Sequence, residues 1–149
     1  MQGTRQTTTT PLERFLAILA VVACLTITIL LWWSVSANQT MWPLPGLYFI
    51  EMVALSMISA FIFVRGDLRE QFIVWGAAGV IGAFSILGSL SVGFFYLPVA
   101  LIFTVIAVRS DLRNKQPIAA HVSVYLIAGM AQLALMLAAI GWHDPSPIF

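Results

Sequence analysis

Long uncharged apolar runs, broken by short polar pieces, organise this chain. Residues 15–50 carry no charge, and apolar character continues past Glu51 as far as Val64. The turn-rich piece "SANQTMWPLPG" divides this stretch into Phe15–Val35 and Leu47–Val64. Each is near the ~20 residues with which a helix crosses ~30 Å of hydrocarbon. The next uncharged stretch, residues 71–108, would be about 57 Å long as one helix, roughly twice that thickness. It must fold back, and "GSLSVG" (Gly88–Gly93) is where glycine and serine best favour a turn. That leaves Phe72–Leu87 and Phe94–Val108, short enough for a re-entrant hairpin or a thin, tilted region. A last run, Ile118–Trp142, follows Pro117, which suits the first turn of a helix.

The charges orient these runs. The seven basic residues fall into three groups: Arg5 and Arg14, then Arg65 and Arg69, then Arg109, Arg113 and Lys115. If all three groups are cytoplasmic, as the positive-inside bias favours, the chain crosses an even number of times between consecutive groups. The expected fold is therefore an all-α integral membrane protein. It is a five-helix transmembrane bundle with the N-terminus inside and the C-terminus outside. The spans are expected near residues 15–35, 47–64, 72–87, 94–108 and 118–142, in one membrane domain with a polar tail at 1–13. Trp32, Trp33, Trp42 and Trp142 then fall near the outer interface and Trp75 near the inner one, where amphipathic rings belong. A cleaved signal peptide ending at "VSA" is disfavoured, because the first apolar region exceeds the usual ~7–15 residues. "NQT" at Asn38 formally matches a glycosylation acceptor, but nothing else points to a secretory pathway.

Composition agrees with lipid as the solvent. The 149 residues are 60% hydrophobic and 9% charged, against about 25% charged in a soluble domain. No basic patch supports nucleic-acid binding. The single cysteine, Cys24, excludes an intrachain disulfide and a CxxC motif, and reads as a buried thiol. The pattern fits a multi-pass protein of a cell membrane, in the manner of small bacterial inner-membrane proteins.

"VRGDLR" (Val64–Arg69) and "VRSDLR" (Val108–Arg113) match at five of six positions. Convergent interface chemistry explains them better than duplication. Arg65, Arg69, Arg109 and Arg113 are expected to anchor the inner interface by snorkelling to headgroups. Asp67 would cap the next helix with Glu70 completing a capping box, and in the second copy only the Asp111 cap would survive. On the third run, Gly76, Gly79 and Gly82 recur every third residue, with Ala83 extending a small-residue face suited to close helix packing. The fifth run has a similar face at Ala128, Gly129, Ala131 and Ala134. Each face suits close approach of a helix from this chain or from another protein.

Glu51 stands alone in "LYFIEMVALSM". An intramembrane carboxylate is a functional candidate, since its charged form costs ~2.5–3.5 kcal/mol on insertion scales. It lies about 6 Å below the start of its span. Tyr48 shares its helix face, and Thr26, Thr28, Ser85 and Gln132 are candidates for a polar layer facing it. A hydrogen-bonding fastener, to Gln132 among others, is preferred to a proton- or cation-coupling carboxylate. His121, near the inner face with Tyr125 one turn on, is expected to bond headgroups or loops. No HExxH, clustered His/Cys or serine–histidine spacing occurs, so no catalytic residue, metal or cofactor is indicated. A haem, quinone or pigment would need only an apolar groove and one polar contact. The expected function is that of a non-catalytic accessory or scaffold subunit, associating with other membrane subunits or with itself. The alternative is a small oligomeric transporter or channel using Glu51.

Overall fold

The structure, a computed structural model, describes residues 9–36, 44–65, 71–87 and 93–143. These form α1 (Pro11–Ser36), α2 (Leu44–Arg65), α3 (Gln71–Leu87), a 3₁₀ turn (Gly93–Tyr96), α4 (Leu97–Asn114) and α5 (Ile118–His143). No strand occurs among the described residues. Four of the helices, α1, α2, α4 and α5, are long and apolar enough to cross a membrane; α3, with 17 residues, is shorter but equally apolar. At ~1.5 Å per residue α3 is about 25 Å long.

Local chemistry explains where the helices begin and end. Thr10-Pro11-Leu12-Glu13 is a capping box. The Thr10 amide donates to Glu13 Oε2 (2.8 Å), and the Glu13 amide donates to Thr10 Oγ1 (3.3 Å). Pro11 fills the first helical position, where no amide is needed. The helix consequently starts four residues before Phe15, and residues 11–13 belong to it rather than to a polar tail. At the other boundary, α4 runs six residues beyond Val108. Its extra turns are amphipathic: Ser110 and Asp111 are buried, whereas Arg109, Leu112 and Arg113 are exposed. Lys115 closes α4 in the left-handed conformation (φ 52°), and the Gln116 amide returns to the Asp111 carbonyl (3.0 Å). Pro117 stands just before α5, and its carbonyl accepts the Ala120 and His121 amides (3.0 and 3.3 Å). The expected break at 88–93 lies outside the described residues except for Gly93, which opens the 3₁₀ turn.

Contacts along the helices show their relative directions. Glu13 meets Arg113 while Thr28 meets Tyr96, so α1 and α4 are antiparallel. Trp75 meets Asp111 while Phe84 meets Tyr96, so α3 and α4 are antiparallel too. Trp75 with His121 and Ala83 with Gly129 make α3 and α5 parallel. Eleven of the 17 residues of α3 are buried, making it the central helix, packed by α5, α4 and α2. α1 lies across α2 and α4. The core between them holds Phe49, Met52, Phe63, Ile81, Tyr96, Phe103 and Ile106. Arg14, Arg65, Arg109, Arg113 and Lys115 thereby gather at one end of the bundle, here the basic end. Trp32 and Trp33 lie exposed at the opposite, distal end.

Candidate functional site

At the distal end Glu51 on α2 meets Gln132 on α5. The Gln132 amide Nε2 donates to Glu51 Oε2 at 3.1 Å, and Gln132 is buried while Glu51 is partly buried. Tyr48, one turn before Glu51, packs its ring 5.6 Å from that of Phe84. The remaining candidates for a layer around Glu51 are directed elsewhere. Ser85 Oγ donates to the Ile81 carbonyl (2.7 Å), and the exposed Thr26 donates to that of Val22 (2.8 Å). Thr28 Oγ1 donates to the Cys24 carbonyl at 2.8 Å. Its one proton being used there, it accepts from the Tyr96 hydroxyl, also at 2.8 Å. A hydroxyl four residues past a helical carbonyl has a partner within reach on its own helix. Of the candidates for that layer, Gln132 hydrogen-bonds Glu51, Thr28 pairs with Tyr96, and Thr26 and Ser85 bond carbonyls of their own helices.

The basic end holds a denser polar network. Asp111 on α4 is 1% exposed, and its Oδ2 accepts from Trp75 Nε1 on α3 (2.9 Å). The same oxygen lies 2.7 Å from His121 Nδ1 on α5. Gln71 on α3, 2% exposed, donates through Nε2 to the Ala107 carbonyl (3.2 Å). Glu13, fully buried, accepts from Arg113 Nη1 at 2.8 Å as well as from the Thr10 amide. Asp111 is therefore not an N-cap for α5: it sits inside α4 and joins three helices. His121 bonds that carboxylate. Trp75 is buried in the bundle with its ring 6.2 Å from that of Tyr125.

Arg113 is held by Glu13, so its guanidinium is directed into the bundle's own end. Arg65 and Arg109 are exposed, and Arg65 lies 5.7 Å above the Phe61 ring. Arg69, Asp67, Glu70, Arg5, Asn38 and Trp42 lie outside the described residues.

The small-residue face of α3 meets α5. A Cβ at Gly79 would collide with the Tyr125 carbonyl oxygen, and one at Gly129 would come within 3.3 Å of the Gly79 carbonyl oxygen. Gly76 faces Val124 and Ala128 with ordinary spacing, while Gly82 lies under the Tyr125 hydroxyl. Ala83 packs toward Gly129. The two small faces thus bring two backbones together within one chain.

Tyr96, Asp111, Gln71 and Glu13 were not singled out as site residues from the sequence. Signals existed for some of them. Thr10–Glu13 has capping-box spacing. Phe103, Ala107 and Asp111 recur every fourth residue, so a helix through them places the carboxylate on a buried face. Among the described residues, no group of three or more His, Cys, Asp or Glu side chains could hold a metal ion. Comparisons with protein-family models, curated proteins and solved structures give no match to this chain.

Proposed function

We propose that this chain is a five-crossing integral membrane protein with its basic end in the cytoplasm, and that it acts as a non-catalytic scaffold or accessory subunit. Support for the crossing comes from the four long apolar helices, the apolar central α3, and the gathering of the described cations at one end. Lipid is the natural solvent for the outward faces of α1 and α5, which carry Phe15, Ile18, Ile29, Leu126, Ile127 and Met130.

The scaffold reading is carried by where the polar side chains point. Within the spans, Thr28, Ser56, Ser59, Ser85 and Thr104 each donate to a carbonyl of their own helix. The carboxylate Glu51 is engaged by Gln132. These groups fasten helices to one another or to themselves, as a rigid supporting subunit requires. Purification from native membranes in mild detergent tests the reading. A stoichiometric complex with larger membrane subunits is expected, and a monodisperse lone monomer would count against it.

Glu51 is only partly buried, and this favours a second reading, a small oligomeric transporter or channel that uses the carboxylate. In that case Glu51→Gln should abolish pH-dependent ion or solute flux in liposomes. Unchanged flux, or none in the wild type, would leave Glu51 as a fastener.

A further inference from the structure

α2 and α5 both pack on α3, and the Glu51–Gln132 hydrogen bond joins them. That bond fixes the Gln132 amide with Nε2 toward the carboxylate, because Oε1 in its place would face a carboxylate oxygen. Glu51 Oε1 and Gln132 Oε1 are left without a hydrogen-bond partner among the described residues. Neither is fully buried, unlike the unpaired Asp111 Oδ1 and Gln71 Oε1 at the basic end. Each is joined through a single carbon to an atom of the 3.1 Å bond, so the two open acceptors belong to one small patch.

The patch has no counter-charge of its own among the described residues. Gln132 gives the carboxylate a hydrogen bond but no charge, and Arg14, Arg65, Arg109, Arg113 and Lys115 lie at the opposite end. A carboxylate in apolar surroundings is costly unless a cation pairs with it. One turn toward the distal end stand Tyr48 on α2 and Met136 on α5. The Tyr48 ring lies 5.6 Å from that of Phe84, which meets Tyr96 edge-on, also at 5.6 Å. Calcium or magnesium is poorly matched here, since each calls for about six or more oxygen ligands. An organic ammonium matches better. Its N–H groups suit the two open oxygens, its charge suits the carboxylate, and an aromatic face is at hand.

We propose that Glu51, Gln132 and Tyr48 form a binding site for a primary ammonium ion that carries an apolar body. Glu51 Oε1 and Gln132 Oε1 each accept one N–H, and the carbon body lies against the Tyr48 ring. The site rests on the transporter reading, in which Glu51 meets a solute, and gives that solute a chemical class. A primary ammonium is found both in free amines and in ethanolamine lipid headgroups.

Calorimetric titration of the full chain in an uncharged detergent with 2-phenylethylammonium tests this, with empty micelles as the baseline. Wild type should bind the probe saturably. Glu51→Gln should weaken binding about tenfold or more, because a hydrogen bond to a charged group is lost. The N-trimethylated probe keeps the charge but has no N–H for the two oxygens, and should bind more weakly. Should Glu51→Gln fail to fold, the wild type alone suffices: the probe should protect Glu51 from a lipid-soluble carbodiimide, read by mass spectrometry. Added phosphatidylethanolamine should displace the probe if a headgroup is the natural occupant, and leave its affinity unchanged if a free amine is; either result keeps the site. No saturable binding, wild-type affinity in Glu51→Gln, equal affinity for the trimethylated probe, or no protection would each overturn the proposal. Flux in liposomes separates it from the transporter reading. Binding without flux keeps the site and removes the transporter, whereas Glu51-dependent flux without binding removes the site alone.

Discussion

Gly79→Ala adds a single methyl group where the α3 and α5 backbones lie against each other. Its Cβ would collide with the Tyr125 carbonyl oxygen and stand 3.0 Å from the carbonyl carbon and 3.1 Å from Cα. All three atoms belong to backbone, so no side-chain rotation relieves the overlap. Ordinary carbon–carbon contact lies at about 3.5–4.0 Å, so α3 and α5 must separate by roughly half an ångström or more. Separation loosens the approach of Gly129 to the Gly79 carbonyl and the stacking of Trp75 beside His121. Overpacking of this kind costs about 1–3 kcal/mol, which is roughly a 5- to 150-fold change in the unfolding constant at ~1.4 kcal/mol per tenfold. Gly76→Ala is the internal control. There the added Cβ would lie 3.8 Å from Val124 Cγ1 and 3.9 Å from Ala128 Cβ, both ordinary contacts. Losing a glycine from a helix interior favours folding by roughly 0.5–1 kcal/mol, so this variant should be neutral or slightly stabilised. Gly82→Ala should fall between them, because it meets only the movable Tyr125 hydroxyl at 2.7 Å. Denaturant titration of the purified variants in one detergent, followed by circular dichroism, measures the order. Equal stability of Gly79→Ala and wild type, or equal damage from Gly76→Ala, would refute the packing argument.

Other expectations follow from named contacts. A double-mutant cycle of Glu51→Ala with Gln132→Ala should give a coupling of about 0.6–1.7 kcal/mol, the range for hydrogen bonds between membrane helices; strictly additive effects would show that the 3.1 Å pair is not fastening α2 to α5. Thr10→Ala should cost about 0.5–2 kcal/mol by removing the cap of α1. Faster amide exchange at Thr10 and Glu13 should accompany it, and unchanged exchange there would contradict a working capping box. For topology, a Cys24→Ala background carrying Ser36→Cys should react with an impermeant maleimide from outside intact cells. Lys115→Cys should react only after permeabilisation, and labelling of both from one side would rule out the five-crossing orientation.

Much of this was legible from one-dimensional pattern alone. Run length and hydropathy indicate where helices occur, because burying backbone amides without water requires them to be satisfied within the segment. Charge placement indicates which helix ends lie together. The small faces on α3 and α5 were readable as close-packing surfaces, and Gln132 stood among the candidate partners of Glu51. Boundaries were less legible. Val108 looked like the end of a span because charge begins at Arg109, yet Asp111 lies inside a helix whose buried face its neighbours supply.

Which faces meet is a different kind of fact. Hydropathy and spacing are properties of single segments, whereas a partner is selected by the joint packing of five helices. The sequence by itself determined the helices, their order, the clustering of cations and the presence of a carboxylate in an apolar run. Only the tertiary structure decided that Gly79 opposes Tyr125, that Tyr96 meets Thr28, and that Trp75, Asp111 and His121 converge. Residues 10 to 68 positions apart become neighbours only when the central α3 is enclosed. In a low-dielectric interior such contacts are strong when complete and costly when left unpaired, so the polar partners follow from the packing rather than from local pattern.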